Sequence, residues 1–147
     1  MAPRQLPEDF KEFVKFLNSN EVKYLLLGGW AVGLYGNPRA TKDIDFIIAV
    51  DDENVARIIK ALSDFGGPTS EAIHLKKPGS VFRMGNPPIQ IDIINQAAGI
   101  DFEECYSRRS LITVDDVEIS VIAKEDLIQN KKASGRMQDL ADAEKLE

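Results

Sequence analysis

The first pattern along the chain is helical. Phe10, Phe13, Val14 and Leu17 recur at i, i+3, i+4 and i+7, and the spacing predicts an amphipathic helix ending near Asn18–Asn20. Its entrance is Pro7-Glu8-Asp9, where proline suits the first turn and the acids suit the positive end of the helix dipole. Val22 to Leu27 then reads as a strand, apolar at its end and so interior to a sheet. Gly28–Gly29 breaks it. Trp30 to Tyr35 is nearly all apolar and predicts a short buried helix, ended by Gly36, Asn37 and Pro38. A second strand runs from Asp43 to Val50, and Asp51–Asp52 can cap a helix from about Glu53 to Phe65. Val55, Ile58, Ile59 and Leu62 face inward there, and Gly66-Gly67-Pro68 stops it.

Residues 69–79 carry no period that places them. Ser80 to Met84 and Ile89 to Asn95 read as two strands joined by the turn signal Gly85-Asn86-Pro87-Pro88. In the second of these, Gln90, Asp92 and Ile94 share one face while Ile91 and Ile93 take the other. Ile100 to Arg108 is a short, weak helix or a loop. Leu111 to Val114 and Val117 to Ile122 flank Asp115–Asp116 as a hairpin. The chain ends in helix, with Leu127, Ile128 and Lys131 on one inward face. Met137, Leu140 and Ala141 fall on nearly the opposite side, which predicts a kink or break around Ser134–Gly135. Helices and strands mixed in this order, with a hairpin, point to an α+β (mixed α/β) fold rather than a doubly wound parallel sheet.

Composition narrows the class. With 147 residues, 44% apolar and 29% charged, residues 1–147 read as a single globular domain with a real core. No segment has the apolar length of a membrane span, the N-terminus lacks a signal-peptide pattern, and the one cysteine, Cys105, has no internal partner. These features set the expectation of a cytoplasmic protein. A net charge of −6 argues against broad binding to a nucleic-acid backbone. It leaves room for a small anion at a local basic cluster, of which there are two: Arg39 with Lys42, and Lys131–Lys132 with Arg136. His74 and Cys105 have no partner pattern for nucleophilic or zinc chemistry.

The chemistry lies in the carboxylates. Asp43 and Asp45 open an apolar strand and project from one face, about 7 Å apart, with Ile44 and Phe46 on the other. Paired negative charge there resists desolvation unless a cation or a proton resolves it. Asp92 is a further carboxylate in the middle of an isoleucine-rich strand, where a lone buried charge is costly. If the two strands are neighbours, three carboxylates meet, and such hard oxygen ligands suit Mg2+ or Mn2+. Gly28–Gly29 is either a tight strand–helix turn or a place where phosphate approaches backbone amides; it is neither a Walker A loop nor a dinucleotide fingerprint.

Leu27-Gly28-Gly29, thirteen residues, Asp43-Ile44-Asp45-Phe46, and then Ile91-Asp92-Ile93 together resemble the signature of the DNA polymerase β-type nucleotidyltransferase superfamily. The resemblance is to its small branch of minimal, lincosamide nucleotidyltransferase-like and toxin–antitoxin nucleotidyltransferases. The tail, Asp126-Leu127-Ile128, Lys131, Gly135-Arg136 and Asp139-Leu140, resembles that branch as well. The resemblance implies a mixed sheet flanked by helices with a C-terminal helical segment. It further implies that Asp43, Asp45 and Asp92 bind metal, with Asp92 also orienting or deprotonating the attacking hydroxyl. Gly28, Gly29, Arg39, Thr41, Lys42 and Lys131 would then meet the phosphates. Glycine at position 29 replaces the serine common in other branches.

The implied reaction moves a nucleoside monophosphate, AMP from ATP by expectation, onto a hydroxyl and releases pyrophosphate. Expected acceptors are a small molecule such as an antibiotic or a partner protein, a cognate toxin among them. The acidic balance disfavours transfer RNA. Two other readings compete: a non-catalytic nucleotide-binding or antitoxin-like module on the same fold, and a structural dimerisation domain. Retention of all three carboxylates counts against the first, and Asp92 inside an isoleucine strand counts against the second. The base preference and the oligomeric state are not legible.

Overall fold

The computed structural model describes residues 6–36, 43–86 and 89–147. A six-stranded mixed sheet forms its centre, in the order β3-β4-β2-β1-β6-β5. β1 (Tyr24–Leu27) pairs antiparallel with β2 (Asp43–Ile48) and parallel with β6 (Val117–Val121). β2 pairs parallel with β4 (Ile89–Ile94), which pairs antiparallel with β3 (Val81–Asn86). β5 (Ser110–Val114) closes the other edge against β6. The mixed α+β architecture predicted from the order of elements is the one observed.

Helices α1 (Glu8–Ser19) and α3 (Asp52–Phe65) cover the sheet face that carries Phe46. The helical period of α1 buries Phe10, Phe13, Val14 and Leu17, as their spacing predicts. Phe13 then meets Phe46 at 5.7 Å and Phe65 at 5.2 Å between ring centroids, joining β2 and α3 in one aromatic cluster. α3 starts where the acids are: the Asp51 carboxylate accepts from the Asn54 N–H at 3.1 Å. It ends where Gly66 turns left-handed at φ 85°. The β5–β6 hairpin turns through Asp115 and Asp116, both at positive φ, a geometry that aspartate tolerates and that matches the twist of the strands.

Four sequence-based expectations are corrected or completed. Residues 69–79, unplaced by pattern, contain a 3-10 helix over Ala72–Lys76. Gly28 and Gly29 do not precede the buried helix but begin it, since α2 spans Gly28–Leu34. The β3–β4 hairpin is tighter than the four-residue turn signal suggests: β3 runs on through Asn86, so Arg83 pairs with Asp92 and Met84 with Ile91. The segment 100–108 folds as α4 (Phe102–Ser107), capped by Asp101.

The C-terminal break falls as expected, with α5 (Lys124–Ser134) ending at a left-handed Gly135 and α6 (Met137–Leu146) following. The face that α6 buries is another matter. Met137 is 89% exposed, and Leu140 and Ala141 are also outside. The inner face is Asp139, Asp142, Ala143 and Leu146. Two of those four are carboxylates because the face they meet presents Lys131.

Candidate functional site

The period of two along β2 sends Asp43 and Asp45 to the face opposite Phe46. Parallel pairing with β4 sets Asp45 directly beside Asp92, and Asp43 beside Gln90. On its other side Asp45 is the register partner of Leu27, the last residue of β1. The chain turns into α2 there through Gly28 at φ 72°. A Cβ on Gly28 would collide with Asp45 Oδ2, so this close approach of backbone to carboxylate needs glycine for both conformation and space. Gly29, the next residue, is buried in the first turn of α2.

Asp45 carries the electrostatic signature of the site. Burial, then the charges of Asp92 and Asp43, push its carboxyl up to about 6, against a partial offset from Lys131. A carboxyl so placed is short of positive charge.

Asp92, 6% exposed, is compensated differently. Arg83 Nε donates to its Oδ1 at 2.9 Å and a terminal guanidinium nitrogen reaches Oδ2 at 3.4 Å. Gln90 Nε2 lies 3.3 and 3.4 Å from the two oxygens. Sequence reasoning missed Arg83. The signal was the hairpin, but the turn signal placed its register two residues away. In this arrangement no group of three or more His, Cys, Asp or Glu among the described residues is already set to hold a metal ion. The chemistry of the donors nevertheless fits a hard divalent cation: they are all carboxylate, two are register partners, and Asp45 is raised by burial and then by its acidic neighbours.

A cleft of about 310 Å3 opens in front of Asp45, between Gly28–Gly29 and the α5–α6 corner, where Lys131, Arg136 and Asp139 line it. Lys131 lies on the inward face of α5, as predicted, and is 6% exposed. Its Nζ stands 3.3 Å from Asp139 Oδ1 and 3.4 Å from Asp142 Oδ2. Arg136 Nε donates to Asp139 Oδ2 at 2.7 Å. Asn130 Nδ2 donates to the Ala98 carbonyl at 2.8 Å and ties α5 to the loop after β4. The tertiary structure thus sets Gly28, Gly29, Asp45 and Lys131 on one cleft, with Asp92 the register partner of Asp45 and Asp43 two residues away on the same strand. Arg39, Thr41 and Lys42 lie outside the described residues.

Several solved structures share this fold. A candidate nucleotidyltransferase from Thermotoga maritima superposes with a TM-score of 0.61 at 16% identity, covering 99% of this chain and 94% of that one. The lincosamide antibiotic adenylyltransferase LnuA with lincomycin bound gives 0.57 at 17% identity, covering 97% and 98%. An antigenic nucleotidyltransferase-like protein from Paracoccidioides brasiliensis gives 0.57 at 16% identity, covering 97% and 78%. No curated protein matches. Residues 4–147 match the family described as nucleotidyltransferase of unknown function (DUF6036). With almost the whole chain matched, this protein belongs to that nucleotidyltransferase family.

Proposed function

We propose that this nucleotidyltransferase transfers AMP from ATP to a hydroxyl group and releases pyrophosphate, with Mg2+ or Mn2+ held by Asp43, Asp45 and Asp92. The observation that carries the reading is the Asp45–Asp92 register pair, with Asp43 on the same strand. A bound divalent cation would supply charge neutralisation at the phosphates and at the attacking and leaving oxygens.

The rest of the site follows from the chain itself. Asp92 is the acceptor-side carboxylate and takes up the hydroxyl proton on one of its oxygens as the oxygen attacks the α-phosphorus. The new P–O bond forms there, the bond to the bridging β-phosphate oxygen breaks, and pyrophosphate leaves. The bare backbone at Gly28–Gly29 gives phosphate oxygens close approach beside Asp45. Lys131 and Arg136 border the same cleft and offer positive charge to the leaving pyrophosphate. Arg39, Thr41 and Lys42, just before Asp43 in the chain, are assigned to the same phosphates.

The acceptor is proposed to be a small hydroxylated molecule or a partner protein. The lincosamide adenylyltransferase among the structural neighbours supports the first, covering nearly the same length of chain. A cognate toxin is the protein acceptor considered, and the net charge of −6 keeps transfer RNA behind both. A non-catalytic module is not favoured, because nothing in a purely structural sheet calls for two adjacent strands to face carboxylate against carboxylate. The test is incubation with α-labelled ATP and Mg2+ against hydroxylated antibiotics and partner proteins encoded beside it, with Asp45→Asn as control. Labelled acceptor and metal-dependent ATP binding, both lost in the control, are expected. Neither product nor metal-dependent binding would sink the reading.

A further inference from the structure

Arg83 has no part in the reaction outlined above, yet it is the strongest partner of one of the three carboxylates. It sits on β3, an edge strand of the sheet, directly across the antiparallel ladder from Asp92. The register fixes the pair, because every residue from Val81 to Asn86 has its partner on β4. The two side chains differ in burial: that of Asp92 is 8% exposed and that of Arg83 62%. The guanidinium therefore meets the carboxylate with one edge and water with the other. Together with Gln90 it donates to both Asp92 oxygens. Its charge also acts on Asp43 and Asp45.

We propose that Arg83 is the resident counter-cation of Asp92: it occupies that carboxylate while no metal is bound and yields it when a divalent cation enters. The inference rests on the metal reading given under Proposed function and adds to it a reason why the metal should bind weakly by itself. A carboxylate oxygen that already accepts from a guanidinium has fewer lone pairs to offer a cation, and the guanidinium charge repels that cation. An arginine charge beside these carboxylates lowers the attraction left for an entering divalent ion, and a nucleotide arriving with that ion adds negative charge back. Being exposed, Arg83 can swing into solvent at small cost, whereas a buried arginine would leave its charge uncompensated. Arg83 is thus a positioning residue, acting on the site through Asp92.

The test is Mn2+ binding to the full chain without nucleotide, followed by the electron paramagnetic signal of free Mn2+. The proteins are wild type, Arg83→Gln, Arg83→Lys and Asp45→Asn, each checked for folding by circular dichroism. Arg83→Gln should tighten Mn2+ binding about tenfold, the size expected for removing a single partly screened charge. Arg83→Lys keeps the charge without the two-point fork and should fall between Arg83→Gln and wild type. A purely structural Arg83 would leave Mn2+ affinity unchanged or weakened in folded Arg83→Gln, and that result overturns the proposal. Asp45→Asn separates the two failures. If it removes Mn2+ binding seen in wild type while Arg83→Gln changes nothing, the metal reading stands and only the role of Arg83 falls. Absence of Mn2+ binding in all four proteins overturns both.

Discussion

Gly28 and Asp45 occupy one another's space: the α-carbon of the first leaves no room for a Cβ beside the carboxylate of the second. Leu27, just before Gly28, is the register partner of Asp45. The end of β1, the start of α2 and the acidic strand are therefore locked at one point, and the cleft opens from it.

Gly28→Ala should accordingly damage the site more than the fold. The φ of 72° costs a side chain about 1 kcal/mol, and the added methyl must displace the Asp45 carboxylate. We expect a stability loss of about 1–2 kcal/mol by urea unfolding, with nucleotidyl transfer falling by at least tenfold. Equal transfer by the variant and the wild type would show that the close approach is incidental.

Asp45→Asn should stabilise the metal-free protein while abolishing transfer. The wild-type carboxyl is raised to about 6 by burial, Asp92 and Asp43, whereas in the unfolded chain it ionises near its ordinary value. Between those two values the folded state holds the proton more tightly, so wild-type stability falls as pH rises through that window, and the full cost is present above about 6. Urea melts in chelator should show the Asp45→Asn variant gaining roughly 1–3 kcal/mol on wild type between pH 4 and pH 7.5. A constant difference across that range would contradict the assignment.

The Lys131 cluster makes the opposite prediction. Lys131→Met leaves Asp139 and Asp142 buried without their shared cation and should cost about 3–5 kcal/mol, read as a large drop in melting temperature. Burial raises the Asp139 carboxyl, but the hydrogen bond from Arg136 and the charge of Lys131 outweigh it, and the net shift is downward. That stability is therefore present above the ordinary carboxylate range and is lost as pH falls through the depressed value. Asp139→Asn should unfold less steeply in acid than wild type.

Asn54, on α3, is 1% exposed and braces the end of the sheet remote from the cleft. Its Oδ1 accepts from the Lys23 N–H at 2.8 Å, and its Nδ2 donates to the carbonyls of Lys23 at 3.1 Å and Ala49 at 2.7 Å. Asn54→Leu keeps the branched outline of the side chain but strands those backbone groups, at about 2–4 kcal/mol. Thermal unfolding measures it, and because the site lies elsewhere, transfer by the protein that remains folded should be unchanged.

Everything governed by local period and local chemistry was legible in the chain alone. The 3.6-residue spacing marked α1 and α3, the alternation of β2 put Asp43 and Asp45 on one face, and Asp115–Asp116 marked a hairpin. The order of glycines and carboxylates was enough for the resemblance to a nucleotidyltransferase, since those spacings belong to the primary chain. Partnerships across strands and helices emerged only from the folded molecule. Arg83 meets Asp92 because the β3–β4 hairpin closes two residues tighter than its turn signal implied, and a register shift is invisible to alternation on either strand alone. On α6 the pattern set apart Met137, Leu140 and Ala141 as the apolar residues, and nothing in it put Asp139 and Asp142 on an inner face. The burial is reversed because α6 folds back onto a buried lysine, and a buried cation makes carboxylates the favourable inner face.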